Sequence, residues 1–408
     1  MSLSPCRVSL LSLFVSFAVF SLPSAHGSTP TELTALVGVA NSSFGQSVAV
    51  SGSTVVIGAP GDDQTPGEAY VFTYTESGWA QAAVLTPSDC AEQDFFGQSV
   101  AIFGNTIVVG APEHNVGSNL QQGAAYVFVE PLAGWGNMTE TAELTSDDGQ
   151  AYDRLGWSVA MNDATVVATA PDASVETGAA YVFAKPATGW ATTSQYTAKL
   201  TASDGAAYAV FGWSASLNGK TLVVGAYDAN GGHGSAYVFL QPSGGWSNGT
   251  QTAELTASDG ASYDFFGWSV AVSDKTIGVG ANQFDLPAPG KAYVFQQPAN
   301  GWADMTQTAE LTPSDGVAFE DFGASISLFG PVVAVGATHG SSCCGAAYVF
   351  LEPSGGWRNG SQTEKVVASN GSSNNLFGES VSIEGKVMLV GAPGESVGSI
   401  YAGAAYAY

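Results

Sequence analysis

Basic residues are scarce in this chain. Lys and Arg together number 10 among 408 residues, against 35 Asp and Glu, so the net charge is −25. A surface that binds duplex nucleic acid needs clustered Lys and Arg to neutralise phosphates, and the sequence has no such cluster. We therefore expect no nucleic-acid partner. An acidic and sparsely charged surface is common among extracellular proteins, and it is compatible with divalent cations.

Helix-forming charged residues are also few. Only 11% of the residues are charged, whereas 45% are hydrophobic and 51 are glycine. Short apolar runs are interrupted by Gly, Asp and Ser, which is typical of strands joined by turns. The composition therefore predicts an all-β protein.

Long hydrophobic runs are absent apart from one at the N-terminus. Arg7 precedes an apolar stretch from Val8 to Leu22, which small residues up to Gly27 follow. This order predicts a secretory signal peptide over residues 1–27, and the stretch is short for a membrane-spanning helix. We expect residues 28–408 to be secreted, with no membrane span and no anchoring tail after Tyr408.

Cysteine is rare, and the number left after the signal peptide is odd. Cys6 lies within the predicted signal, so Cys90, Cys343 and Cys344 remain. An odd count in a secreted protein leaves at least one free or intermolecular thiol. Cys343 and Cys344 are candidates for a vicinal disulfide, and a bridge from one of them to Cys90 is the alternative.

The chain contains a motif that occurs seven times. A Phe-Gly or Leu-Gly pair is followed, thirteen residues after its glycine, by Gly-Ala or Gly-Ala-Pro, and then by Ala-Tyr-Val-Phe; only Thr169 replaces the second glycine. The anchor glycines are Gly45, Gly97, Gly156, Gly212, Gly267, Gly323 and Gly378. Gly45 and Gly378 are 333 residues apart over six intervals, so the mean repeat is 55.5 residues. A unit of this length must bury its faces against its neighbours.

Each repeat contains four strand-like segments, which predicts the blade of a β-propeller. The segment after Phe-Gly ends in a two-residue turn, of which Asn218-Gly219 is one, and an Asn-Gly turn is a strong hairpin signal. The next two segments are apolar throughout, as in strands covered on both faces, and the fourth alternates as an outer strand does. The seventh repeat lacks its fourth segment. The sequence around Glu32 supplies it, because Glu32 precedes Gly45 by the same thirteen residues that separate Glu254 from Gly267. We expect a seven-bladed propeller of four-stranded antiparallel blades, with the N-terminal strand completing the last blade.

The sevenfold Phe-Gly and Gly-Ala-Pro spacing resembles the FG-GAP repeats of the integrin α-subunit propeller and of many secreted proteins. The resemblance covers roughly residues 31–408 and implies an extracellular binding or adhesion module. Integrin-type blades carry an Asp-x-Asp-x-Asp-Gly calcium loop between their first two strands. Here that connection has two residues, so there is no room for the loop. Calcium is therefore a candidate ion without the integrin type of site.

Variable loops follow the Gly-Ala-Pro strands and are the expected ligand-binding surface, because loops on a rigid scaffold often carry function. Their acidic residues and histidines are the candidate ligand contacts. These are Asp62, Asp63, His114, Asp172, Asp228, His233, Asp285, His339 and Glu395. The predicted ligand is an extracellular protein or a glycan, and we expect a monomer.

Acidic pairs five residues apart follow the fourth strands, on the same predicted face. Hard cations prefer several oxygen ligands, so these residues are candidate metal ligands. The pairs are Asp89/Asp94, Asp148/Asp153, Asp259/Asp264 and Asp315/Glu320. The alternative is that each is a turn residue that binds its own backbone. Two of the acids, such as Asp148 and Asp259, would also serve a polysaccharide lyase or glycosidase, which is the alternative to a binding function.

Five Asn-x-Ser/Thr sequons follow the predicted signal and are candidate glycosylation sites. They are Asn41, Asn137, Asn248, Asn359 and Asn370. Asn137, Asn248 and Asn359 occupy the same repeat position, 111 residues apart. They indicate either a glycan on every second blade or a copied turn residue.

Overall fold

The computed structural model describes residues 30–61, 65–284, 286–339, 344–370, 374–398 and 400–408. Seven antiparallel sheets, one for each repeat, form a ring, and we number them blade 1 to blade 7. The first strands of neighbouring blades contact one another around the whole ring, including blade 7 with blade 1, so they surround the central axis. The prediction of a seven-bladed, all-β propeller is confirmed.

The strands of the blades, in chain order from blade 1 to blade 7, have similar lengths at each position. The first strands are Ser47–Ser51, Ser99–Phe103, Val159–Asn162, Ser214–Asn218, Phe266–Ser273, Phe322–Phe329 and Val381–Glu384. The second strands are Thr54–Ala59, Thr106–Ala111, Thr165–Ala170, Thr221–Ala226, Thr276–Ala281, Val332–Ala337 and Val387–Ala392. The third strands are Glu68–Thr75, Ala124–Val129, Ala179–Ala184, Ser235–Leu240, Lys291–Gln296, Ala346–Leu351 and Ala404–Ala407. The fourth strands are Gly78–Leu85, Ala142–Leu144, Ala198–Thr201, Ala253–Thr256, Ala309–Leu311, Glu364–Val366 and, for blade 7, Thr31–Leu33.

Shorter elements complete the chain outside the four-stranded pattern. Gly249–Thr250 and Met305–Thr306 are two-residue strands, and Ser396–Val397 pairs with Ile400–Tyr401. The helices are single four-residue turns, Ala173–Glu176 and Ala229–Gly232. Within the described residues, no helix is long and apolar enough to cross a bilayer.

The N-terminal strand completes blade 7 as the sequence predicts. Thr31, Glu32 and Leu33 pair antiparallel with Ala407, Tyr406 and Ala405. Leu33 is 3% exposed and packs in the apolar cluster between blades 7 and 1. Burial of this side chain adds a hydrophobic contribution to the strand's backbone hydrogen bonds.

The two glycines of the motif allow neighbouring blades to approach closely. A Cβ atom on Gly58 would lie 2.1 Å from the carbonyl oxygen of Gly97 in the next blade. The Ser47 hydroxyl donates to the same oxygen at 2.9 Å. Equivalent serine hydroxyls bind the next anchor glycine at five other boundaries, and Ser380 reaches Gly45 at 2.8 Å to close the ring. A side chain at the second glycine would break this contact.

Thr169 changes the boundary between blades 3 and 4. Its hydroxyl donates to the carbonyl oxygen of Ser158 within its own blade. The Ser158 hydroxyl then accepts a hydrogen bond from the Ala215 N–H of blade 4 at 3.1 Å. This boundary is therefore held by a different hydrogen bond from the six others.

Each connection between the third and fourth strands of blades 2 to 6 also covers a neighbouring edge. Leu200 and Thr201 of blade 3 pair in parallel with Gly249 and Thr250 from the connection of blade 4. The same pairing joins blade 4 to blade 5. Single bridges take its place in blades 1, 2 and 5. An outer strand covered in this way does not offer free backbone groups for aggregation.

Candidate functional site

Two sets of connections meet on one face of the ring, which we call the loop face. One set follows the second strands and the other follows the fourth strands. In blade 2, His114 from the first set binds Asp94 from the second, with 3.1 Å between Nδ1 and Oδ2. The two sets share a face as the sequence predicts. The opposite face carries the hairpin turns, which fall at Gly52–Ser53 in blade 1, one residue later than predicted.

Three tryptophans form a continuous aromatic arc at the axial end of the loop face. Trp157, Trp213 and Trp268 each follow the anchor glycine of blades 3, 4 and 5, and all three are partly exposed. Their ring centroids are 4.7 Å apart for the first pair and 4.9 Å for the second. Tyr227 packs against Trp213 and Trp268 at 4.8 and 5.1 Å. Because the first strands surround the axis, this arc borders one side of the axial opening.

Exposed aromatic side chains lie on the loops outside this arc. They occupy the same position, four residues before the anchor glycine, in four consecutive blades. They are Tyr152, Tyr208, Tyr263 and Phe319, and each is more than half exposed. All four have a positive φ between 61° and 71°, a conformation that is uncommon for bulky residues. Strained and exposed aromatic residues are typical of surfaces that contact a ligand.

Polar side chains replace the tryptophans on the other side of the axis. Gln46 of blade 1 donates to Glu379 of blade 7, with 3.1 Å between Nε2 and Oε1. Glu379 is half-buried, and burial raises the pKa of its carboxyl group. Asp321 and His339 of blade 6 form an ion pair at 2.7 Å. The axial end therefore has an aromatic side and a side rich in hydrogen-bonding groups.

A second arrangement repeats farther from the axis, at the blade boundaries. The first acid after a fourth strand accepts a hydrogen bond from the tyrosine hydroxyl of the next Ala-Tyr-Val-Phe strand. The distances are 3.1 Å for Asp89–Tyr126, Asp204–Tyr237 and Asp259–Tyr293, and 3.2 Å for Asp315–Tyr348. Burial raises the pKa of Tyr126 and of its counterparts, and the nearby carboxylates add to this effect. These tyrosines therefore act as neutral hydrogen-bond donors.

The second acid of each pair has a structural role in its own loop. Asp94 accepts the Ala91 N–H at 2.9 Å, and Asp153 accepts the Gln150 N–H at 2.8 Å. Asp264 and Glu320 accept the corresponding N–H groups at 2.8 and 3.0 Å. All four are buried. In each pair, the first acid faces a tyrosine or a lysine and the second holds the turn.

Lysines bind three of the first acids. Lys199 Nζ lies 2.7 Å from Asp148, and Lys365 Nζ lies 2.6 Å from Asp315. Lys291 binds Asp259 and also approaches Glu310 at 3.3 Å. Asp148 and Asp259 thus belong to boundaries in different parts of the ring, and each has its own lysine partner. The structure does not bring these two acids into one site of the kind that a glycosidase uses.

One position gathers a histidine and acids without a lysine. Asp89 Oδ2 lies 3.5 Å and Glu143 Oε1 lies 3.9 Å from His114 Nε2. Burial opposes protonation of His114, but the hydrogen bond to Asp94 and the surrounding carboxylates outweigh it and raise the pKa. Burial also raises the pKa of Glu143. Among the described residues, this is the one group whose geometry suits a metal ion.

The other predicted ligand residues lie apart from one another. Asp172 pairs with Arg154 at 3.1 Å, and Asp228 is partly exposed. His233 is exposed and lies 3.1 Å from the Ser262 hydroxyl. Glu395 is 3% exposed and accepts a hydrogen bond from Asn375. Asp62, Asp63 and Asp285 lie outside the described residues, as does Cys343, so the disulfide with Cys344 stays a prediction.

The sequon asparagines are exposed, and three of them also bind a neighbouring strand. The side-chain oxygens of Asn137, Asn248 and Asn359 accept the N–H groups of Val84, Lys199 and Glu310, all at 2.8–2.9 Å. Asp304 makes the same contact to Glu254 in blade 5. Asn370 instead accepts the Tyr406 hydroxyl at 2.6 Å, and Asn41 is exposed. Glycosylation of all five remains a prediction.

The aromatic arc was not predicted from the sequence. All nine tryptophans occupy positions of the repeat, so none of them appeared to mark a site. The signal was that Trp follows the anchor glycine in three consecutive repeats and in no others. Adjacent blades bring these positions together, which a comparison of single repeats does not reveal.

The sequence model of one family, described as FG-GAP repeat, matches the chain seven times. The matched residues are 29–72, 79–128, 138–183, 195–239, 250–295, 305–350 and 361–408. Each match spans most of a blade. A search of curated proteins returned no match.

Proposed function

Because the chain belongs to the FG-GAP repeat family, we propose that it is a secreted module that binds a glycan on the aromatic side of its loop face. The fold supports a binding module, and FG-GAP repeats are typical of extracellular proteins. The predicted signal peptide and the sequons are consistent with secretion. An adhesive role follows if the glycan belongs to a cell surface or matrix.

The observation that carries this proposal is the aromatic surface of blades 3 to 5. Trp157, Trp213 and Trp268 form the inner arc, and Tyr208 and Tyr263 lie on the loops outside it. Flat aromatic faces pack against the C–H face of a sugar ring, while tyrosine hydroxyls remain able to bind sugar hydroxyls. Gln46 and Glu379 supply further hydrogen-bonding groups across the axis.

The charge of the chain restricts the class of glycan. With ten basic residues and a net charge of −25, the surface opposes approach of sulfated or uronic-acid polymers. A neutral oligosaccharide carries no such electrostatic cost. We therefore expect neutral glycans as ligands, and a protein ligand is the alternative outcome of the test.

The test is a glycan and matrix-protein array, followed by calorimetric titration of any retained glycan. Trp213→Ala and Tyr263→Ala should each weaken binding at least about tenfold, which corresponds to about 1.4 kcal/mol. Tyr74→Ala is the matched control, because Tyr74 is 60% exposed but lies on the hairpin between the third and fourth strands of blade 1. It should bind as wild type does.

Three results would overturn the proposal. These are retention of a protein but no glycan, unchanged affinity in both aromatic variants, and release of a shortened sugar during incubation. The last result would identify an enzyme instead of a binding module.

A further inference from the structure

The boundary positions that hold the first acids share a design in which an internal cation meets the acid. Lys199 and Lys365 come from fourth strands, in register with the tyrosines Tyr181 and Tyr348. Lys291 comes from a third strand instead. Two different positions of the repeat thus supply an ammonium group to the same place. This indicates that a positive charge is favourable there.

Blade 2 has the acids of this design without the lysine. Glu143 stands in register with Tyr126, at the position that Lys199 and Lys365 occupy in their own blades. Glu143 therefore adds a second carboxylate beside Asp89 where the other blades add an ammonium group. Blade 4 also has a glutamate here, Glu254, but the Ser235 hydroxyl donates to it at 2.7 Å.

His114 occupies the centre of the blade 2 position. Its side chain is 9% exposed, and its Nε2 faces Asp89 at 3.5 Å and Glu143 at 3.9 Å. Both distances exceed those of normal N–H···O hydrogen bonds. Its Nδ1 contacts Asp94 at 3.1 Å. A proton on Nδ1 would donate to that carboxylate and leave the Nε2 lone pair directed at the two other acids.

We propose that Asp89, His114 and Glu143 bind a divalent transition metal ion, for which Zn²⁺ is the best fit. Their ligand atoms all lie within 4.8 Å of one another, so small rotations bring each to the roughly 2.0–2.2 Å that zinc requires. Asp94 is a positioning residue, because a carboxylate on the far nitrogen of a ligating histidine fixes its orientation and tautomer. The Tyr126 hydroxyl binds Asp89 from behind.

The donor set favours zinc over calcium. Calcium takes six to eight oxygen ligands, whereas an imidazole nitrogen suits zinc and similar ions. Three protein ligands leave a coordination position for solvent or for a ligand group. Asp89 is 43% exposed, so the position is open to the loop face.

The test is calorimetric titration of the full-length protein with ZnCl₂ after chelator treatment, near neutral pH. Wild type should bind one tightly held zinc ion, and millimolar calcium should not displace it. Asp94→Asn should weaken binding by about 10–100-fold, the usual effect of losing such a partner. His114→Ala and Glu143→Gln should abolish it.

The sharpest variant is Glu143→Lys, which gives blade 2 the lysine that blade 3 has. The new ammonium group should pair with Asp89 as Lys199 pairs with Asp148, so the variant should fold and melt like wild type while losing zinc. His233→Ala is the matched control, because His233 follows the second strand of blade 4 and should not affect zinc binding. Absence of tight zinc binding in wild type would overturn the proposal. Full zinc affinity in Glu143→Lys or in a folded His114→Ala protein would do the same.

Discussion

The close contact at Gly58 explains at the residue scale why the repeat motif is so regular. A methyl group there would meet the Gly97 carbonyl oxygen at 2.1 Å and the Ser47 hydroxyl at 2.2 Å. Neither neighbour can retreat easily, because one is backbone and both belong to the contact between blades. The motif thus records the distance between blades, which is why its spacing predicts the number of blades.

Replacing Gly58 by Ala should separate blades 1 and 2. We expect the free energy of unfolding to fall by about 2–4 kcal/mol, as for overpacked interiors. Thermal melting followed by circular dichroism checks this. Gly136→Ala is the control, since a Cβ there meets nothing within 4 Å. An equal loss in both variants would show that close approach at Gly58 is not the cause.

The residues of the candidate site were less predictable than those of the fold. Asp89 and His114 were both recognised as candidates, but in different sets, since one belongs to an acidic pair and the other to a variable loop. Glu143 was regarded only as part of a regular outer strand. The contact among them depends on two connections of the chain meeting on one face, and no spacing in the sequence encodes it. The same holds for the tryptophans of blades 3 to 5.

The outer strands show at the scale of elements how sequons and structure coincide. Asn248 accepts the backbone N–H of Lys199 in the preceding blade, and Asp304 does the same for Glu254 in the next. An aspartate therefore provides the same acceptor atom. The side-chain nitrogen of Asn248, to which a glycan would attach, does not make this contact.

Asn248→Asp should remove the glycan acceptor and leave stability unchanged. Asn248→Ala should also remove it but cost about 1 kcal/mol, because the Lys199 N–H loses its partner. Electrophoretic mobility of protein secreted by eukaryotic cells reports the glycan, and melting of deglycosylated protein reports stability. Identical mobility of wild type and both variants would mean that Asn248 carries no glycan. Identical melting would mean that its hydrogen bond is not stabilising.

Closure of the ring depends, at the scale of the whole molecule, on the strand Thr31–Leu33. The sequence predicted this strand because its offset to the first anchor glycine matches that of the other fourth strands. It extends only to Leu33 in the structure, and Leu36 is 79% exposed. The pairing brings together two parts of the chain that are far apart in sequence.

A protein of residues 38–408 should melt at a lower temperature than residues 28–408. It lacks the pairing with Ala405–Ala407 and the buried Leu33 side chain, so we expect a loss of a few kcal/mol. The exposed third strand of blade 7 should also promote self-association. Melting and light scattering measure the two effects. Equal melting and an unchanged monomer would show that other contacts close the ring.

The coverage of outer strands has a consequence for the order in which the ring opens. Blades 1 to 5 each have their outer strand bridged by the following blade. Within the part of the chain that the structure describes, the outer strands of blades 6 and 7 have no such bridge. Their amide hydrogens should therefore exchange with deuterium before those of the other outer strands, because local opening there breaks fewer contacts. Thermal fluctuations would then enter the ring at these two adjacent blades and leave the blades that carry the tryptophans and the zinc ligands until last.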